Sequence, residues 1–149
     1  MQAVTVSTEI DRPREAVFDH LDDLANHEAF TDHFLSDWSF TREGTLGVGA
    51  GARMRAKGAG RVEITVLESA RPDYTLEHGR GGKDMRRRTT GTYRLEDSPG
   101  GATRVSFTNE FGPAGLAERP TAPFARAWLR RQNGRALARL KAILEGGGA

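Results

Sequence analysis

Hydrophobic positions change their period along the chain, and each change marks an element. Residues Val4 to Ile10 alternate, with Val4, Val6, Thr8 and Ile10 on one side and Thr5, Ser7 and Glu9 on the other, which predicts a half-buried strand. Asp11-Arg12-Pro13 then sets up a helix: Asp11 or Arg12 stands at the cap, Pro13 suits the first helical position, and Glu15 adds negative charge to the first turn. Ala16, Val17, Leu21 and Leu24 form its apolar face. A second short helical piece is expected from Asn26 to about Phe34. From Asp37 the period is two. Trp38 and Phe40 alternate with Ser39 and Thr41, GTLGVGAG turns, Ala52, Met54 and Ala56 oppose Arg53, Arg55 and Lys57, and Val62, Ile64 and Val66 repeat the pattern. Tyr74, Leu76 and His78 make the next row. A longer strand carries Met85, Arg87, Thr89, Gly91, Tyr93 and Leu95 on one face. Ser98-Pro99-Gly100-Gly101 is a hairpin, and Thr103, Val105, Phe107, Asn109 and Phe111 face inward before Gly112-Pro113 breaks the strand.

The last stretch, Thr121 to Glu145, returns to helical spacing. Ala125, Leu129, Ala136, Leu137, Leu140, Ile143 and Leu144 fall on one stripe, with Arg126, Arg130, Arg135, Arg139 and Lys141 mostly elsewhere. At 1.5 Å per residue such a helix spans roughly 37 Å, so something wide must lie beneath it. Gly134 in its interior costs about 1 kcal/mol against alanine and predicts close packing or a bend. The order of strand, two short helices, six strands and long helix is an α+β design: a seven-stranded antiparallel sheet curled around the C-terminal helix. One domain over residues 1–145 is expected, with residues 146–149 a flexible Gly-rich tail.

Composition narrows the function classes. The chain of 149 residues contains no cysteine, which excludes disulfides and thiolate chemistry. The N-terminus lacks a basic region followed by an apolar run, and no segment has the 18 or more apolar residues of a membrane span, so a cytoplasmic protein without a membrane span is expected. The net charge of +2 conceals an acidic front, with nine Asp/Glu against two Arg in residues 1–37, and a basic rear, with seven Arg/Lys against two Glu in residues 114–149. In one domain this reads as solvated or mutually attracting faces, which argues against a nucleic-acid partner. Either a monomer or a homodimer is compatible with it.

Several segments together resemble the START-like (SRPBCC) superfamily, and within it small proteins of the polyketide cyclase/dehydrase type. They are VTVSTEIDRPREAVFDHLDDLANHEAF, the Gly-rich turn before GARMRAKG, RVEITVLESARPDYTLEH, GTYRLEDSPGGATRVSFTNEF and ALARLKAILE. The resemblance implies a helix-grip fold, in which the sheet wraps the C-terminal helix and leaves a deep, mostly apolar cavity. It also implies a hydrophobic ligand such as a lipid, polyketide or quinone, and in some members cyclisation or dehydration. Many relatives carry a Trp-containing segment where this chain has NHEAFTDHF, so Phe30 is expected to replace that ring and reshape the portal.

Strand parity then selects candidate site residues. If the apolar rows face the helix, the polar groups His78, Arg87, Thr89 and Asn109 stand in apolar rows. Burying such groups is costly unless they are paired or solvated, which points to a wet cavity, a ligand or a partner carboxylate; a strand end reaching water at the rim is the alternative. The expected ligand-binding set is Trp38, Phe40, Met54, Leu76, His78, Arg87, Thr89, Tyr93, Phe107, Asn109, Phe124 and Trp128. Other chemistries lack their spacing. His27 and His33 are six apart with no zinc-type motif and are expected at the surface or portal, GTLGVGAG lacks a P-loop Lys and leads into a strand, and no GxSxG occurs. No metal or cofactor is implied. The leading expectation is binding of a hydrophobic small molecule. The alternatives are a cyclase/dehydratase-type enzyme, with Arg87 holding an enolate and His78 moving protons, and an interaction module that regulates a partner protein.

Overall fold

A computed structural model describes residues 3–112 and 120–146. Strand β1 (Val4–Ile10) leads into helix α1 (Arg14–Leu21), a single 3-10 turn (Leu24–Asn26) and helix α2 (Glu28–Thr31). Six strands follow: β2 (Leu35–Phe40), β3 (Gly51–Ala56), β4 (Gly60–Ala70), β5 (Tyr74–Gly81), β6 (Arg87–Ser98) and β7 (Ala102–Phe111). Helix α3 (Ala122–Gly146) closes the chain. Pro13 is the N-cap of α1 and not its first helical residue, because its backbone is still extended (ψ 153°) while its carbonyl accepts from the Val17 N–H. Gly146 belongs to α3; the rest of the expected tail, and Pro113, lie outside the described residues.

The seven strands form one curved antiparallel sheet in the order β1-β7-β6-β5-β4-β3-β2. Hairpin turns of the expected kind fix the register. Leu95 faces Val105, Tyr93 faces Phe107, Gly91 faces Asn109 and Thr89 faces Phe111. Crossing to β1 at the far edge needs the long helix-bearing connection at the start of the chain. The alternating row of β1 is thereby set on β7, with Val4 opposite Asn109 and Ile10 opposite Thr103.

α3 buries only its second half. Asn133, Ala136, Leu137, Leu140 and Leu144 are buried, and the last four pack with Ile10, Val17, Phe18, Leu21, Phe30, Leu95 and Val105 into the larger core. Burying aliphatic side chains of this size is worth about 1.5–3 kcal/mol each, so this half anchors the helix. Its end is tied to β1: Lys141 Nζ donates to the Glu9 carbonyl at 2.7 Å, and Arg12 Nη1 donates to the Leu144 carbonyl at 3.2 Å, a cation where the helix dipole is negative. Arg139 holds the other side, donating to the Ala29 carbonyl and His33 Nδ1, both at 2.9 Å, and pairing with Asp32. The first half, residues 122–131, has no buried position. Phe124 is 77% exposed there. An ideal Cβ placed on Gly134, between the two halves, meets nothing within 4 Å, so the expected close packing at that glycine is not present.

Candidate ligand cavity

Between the overhanging half of α3 and the sheet lies a cavity of about 800 Å³. That is within the usual range for small-molecule sites. Phe34, Leu35, Trp38, Met54, Val62 and Ile64 line one flank, Tyr93, Phe107 and Phe111 the other, and Leu129, Ala136 and Leu137 the roof. The exposed lining residues are Lys57, Gly58 and Ala59 in the β3–β4 turn, Arg80 and Arg87 near the β5–β6 turn, and Ala125, Trp128 and Arg135 on α3. The cavity therefore opens between those turns and the start of the helix.

Missing side chains make this space. Gly79, Gly81 and Gly91 all line it. A Cβ on Gly79 would lie 2.4 Å from Thr89 Oγ1, one on Gly81 2.9 Å from Val62 Cγ1, and one on Gly91 3.1 Å from both Glu77 Oε1 and the Phe107 ring. Neighbouring side chains thus lean over the glycines and form a low floor. Trp38 reaches the cavity because of a bulge. Ser36 pairs with Arg55 and Ser39 with Arg53, and Asp37 takes φ 56°, so two residues of β2 stand against Met54 alone. The Trp38 indole Nε1 is buried without a hydrogen-bond partner among the described residues.

Four titratable groups of the lining, Glu77, Tyr93, His27 and His33, are shifted chiefly by burial, His33 downward. Glu77 is raised from 4.5 to about 7 by loss of solvation. Tyr93 is pushed well up, first by burial and then by the nearby Glu77 charge, so its hydroxyl stays protonated. His27 is lowered from 6.5 to about 4, again chiefly by burial. Its Nε2 sits 2.7 Å from the Leu21 carbonyl, which fixes the neutral ring with Nε2 as donor, and the ring meets Tyr93 edge-on at 5.7 Å. On the roof side, Asn133 Nδ2 donates to Asn109 Oδ1 at 2.6 Å. Among the described residues no group of three or more His, Asp or Glu side chains is placed to hold a metal ion, and no helix is long and apolar enough to cross a membrane.

A family model described as polyketide cyclase/dehydrase and lipid transport matches residues 1–145. The chain belongs to this polyketide cyclase/dehydrase family. No curated protein matches it. Among solved structures, MLL2253 from Mesorhizobium loti is similar with a TM-score of 0.74 and 16% identity over 97% of this chain and 98% of its own. TTHA0849 from Thermus thermophilus gives 0.73 and 16% over 99% and 100%. DynU16, a protein of the dynemicin biosynthetic locus, gives 0.69 and 16% over 99% of this chain and 48% of DynU16. At these identities the likeness is one of fold.

In this cyclase/dehydrase-family chain Trp38, Met54, Arg87, Thr89, Tyr93, Phe107, Asn109 and Trp128 line the cavity, while Phe40, Leu76, His78 and Phe124 do not. The β5 row is turned over from the expectation. Thr75, Gly79 and Gly81 are its buried positions and Glu77 shares their face, so Tyr74, Leu76 and His78 lie on the other side. Tyr74 is there covered by the Arg94 guanidinium, 5.2 Å from the ring centre, and His78 Nε2 lies 3.5 Å from Arg88 Nη1. The apolar row of β5 thus faces away from the cavity, and His78 has no route to a cavity ligand. Phe40 ends the edge strand and is 41% exposed, and Phe124 precedes the point where α3 reaches the sheet. His27, expected at the surface or portal, is buried against Phe30 at 5.1 Å. Phe30 itself is a core residue and not part of the lining.

Proposed function

We propose that the protein binds an apolar small molecule with one oxygen-bearing end in the cavity beneath α3. The observation that carries this reading is the contrast within one cavity: aromatic and aliphatic walls, interrupted where Glu77, Asn109 and Thr89 come together on adjacent strands. Small-molecule sites commonly combine an apolar body with a few placed polar groups. The family description, which names cyclase, dehydrase and lipid transport, supports the same class of ligand. Lipids, polyketides and quinones all fit this description.

Both tryptophans of the chain, Trp38 and Trp128, line the cavity, so ligand entry has a built-in signal. Purified protein is titrated with a long-chain fatty acid, a naphthoquinone and a polycyclic phenol, read by tryptophan fluorescence and by native mass spectrometry. A one-to-one complex with quenching that weakens in Phe107→Ala is the expected result. Binding that leaves the fluorescence unchanged, or that is insensitive to Phe107→Ala, places the ligand elsewhere and overturns the proposal.

A further inference from the structure

The half of α3 that overhangs the cavity has a composition that packing does not account for. From Ala122 to Leu144 the helix carries Arg126, Arg130, Arg131, Arg135, Arg139 and Lys141 and not one Asp or Glu. Its first turn holds no acid, although acids suit the positive end of a helix dipole and α1 and α2 each place one there. Arg139 and Lys141, in the packed half, are tied to α2 and β1. Arg131 and Arg135 are exposed, and among the described residues no hydrogen bond or salt bridge engages either guanidinium.

Two aromatic rings stand among these cations. Phe124 and Trp128 are four residues apart, so they are neighbours on one face of the helix, and they are 77% and 40% exposed. Arg131 and Arg135 continue that face at helical spacing, while the buried Asn133, Leu137 and Leu140 lie on the opposite side. Trp128 and Arg135 also line the cavity, so the stripe borders its mouth. Across the mouth, Lys57, Arg80 and Arg87 add positive charge, and among the described residues Glu77 is the single acid of the lining. Acids gather at the far end of α3 instead, where the Asp11 N–H donates to Glu145 Oε2 at 2.8 Å and Lys141 meets the same carboxylate.

We propose that this outer face of the first half of α3 docks on an anionic lipid bilayer. Helices that lie in a membrane interface combine aromatic side chains, which enter the boundary between headgroups and acyl chains, with Lys and Arg directed at lipid phosphates. Phe124 and Trp128 supply the first part. Arg131 and Arg135 supply the second, and Lys57 reaches the same surface from the β3–β4 turn. A surface helix that serves solubility alone mixes charges of both signs, which this one does not. Charge by itself would suit nucleic acid equally. The choice of a bilayer rests on the tip of the helix, where Ala122, Pro123, Ala125 and Ala127 surround Phe124 with apolar groups and no hydrogen-bonding side chain. Docked in this way, the cavity mouth faces lipid instead of water. The contact is made by the outside of α3 and does not depend on what the cavity holds.

The test is co-sedimentation of the full chain, without added ligand, with vesicles of phosphatidylcholine alone or with about one-third phosphatidylglycerol. Wild type should pellet with the anionic vesicles, should stay in solution with the neutral ones, and should be released as salt screens the lipid charge. Phe124→Ser should lower the partition coefficient about tenfold, the loss of one buried aromatic side chain. Arg131→Ala combined with Arg135→Ala should lower it roughly 25-fold at low salt. Arg104→Ala, on the exposed side of β7 at its hairpin end, should pellet as wild type does. Circular dichroism checks that each variant is folded. No pelleting with anionic vesicles, or equal pelleting with both kinds, overturns the proposal. So does Phe124→Ser pelleting like wild type, with both displaced by duplex DNA, because the face is then a general polyanion site. Phe107→Ala alters the cavity and not the outer face, so it should still pellet. Its loss would mean that a lipid drawn into the cavity holds the protein on the vesicle, which overturns docking and leaves the cavity reading standing.

Discussion

Asn133 of α3 and Asn109 of β7 are joined by a side-chain hydrogen bond of 2.6 Å, and it falls at the point where the helix passes from its packed half to its overhanging half. Asn133 is buried, so removing its amide leaves the Asn109 oxygen without its donor. Asn133→Ala should cost about 1–3 kcal/mol, the penalty for an unsatisfied buried acceptor. Urea unfolding checks the value. A loss below about 0.5 kcal/mol would mean that water replaces the bond without penalty.

The glycine floor separates stability from binding. Gly79→Ala drives a methyl group to within 2.4 Å of Thr89 Oγ1, and overpacking of this kind costs about 1–3 kcal/mol. Gly91→Ala meets Glu77 and Phe107 at 3.1 Å, a milder conflict for the fold that intrudes directly into the row between the carboxyl and the carboxamide. It should weaken tryptophan quenching by ligand more than it lowers the melting temperature. Equal affinity for wild type and Gly91→Ala would show that ligands do not approach that row.

Gly134 gives the opposite expectation. A methyl group there meets nothing outside its own helix, and glycine in a helix interior is about 0.8–1.0 kcal/mol worse than alanine. Gly134→Ala should therefore raise stability by up to about 1 kcal/mol in thermal or urea unfolding. Because it stiffens the junction between the two halves of α3, it should also slow ligand exchange measured by stopped-flow quenching. A destabilised Gly134→Ala would reveal a backbone requirement at that position.

Half-buried Glu77 and buried His27 tilt the pH profile in opposite directions. The unfolded chain releases the Glu77 proton near 4.5, whereas the folded protein keeps it to about 7, so Glu77 makes stability fall as pH rises through that window. The unfolded chain protonates His27 below 6.5, whereas the folded protein resists until about 4, so His27 makes stability fall as pH drops through that window. Glu77→Gln removes the first slope alone. The melting temperatures of Glu77→Gln and wild type should agree near pH 4 and separate in favour of the variant up to pH 8, with a gain of about 1–3 kcal/mol. A gap that narrows with rising pH would contradict a carboxyl that loses solvation on folding.

Much of the architecture is legible in the sequence because it rests on periodicity. The alternating rows of β1, β3 and β7, the β6 row from Thr89 on and the α3 stripe from Ala136 on match the side that is buried, and the Ser98–Gly101 turn joins β6 to β7 as a hairpin. β5 fails for a physical reason. Hydropathy marks an inward face by its apolar side chains, but a strand that borders a cavity can turn glycines inward and leave Leu76 and Tyr74 on the convex side. The spacing of Gly79 and Gly81 is the one signal that marks the true inward row, and extending it back by two reaches Glu77. Phe124 misled for a different reason. Its place on an amphipathic helix says nothing about whether the sheet extends that far beneath it.

The glycine floor has a further consequence for how a ligand enters. A void held open by mobile side chains collapses when empty, so each binding event must first push them apart. Here the strand floor carries no Cβ at Gly79, Gly81 and Gly91, and Thr89, Val62, Glu77 and Phe107 already lie close over those positions, so the depth of the site is set by the covalent chain. The receptor is shaped before its guest arrives, and association can proceed without a slow reorganisation of the sheet.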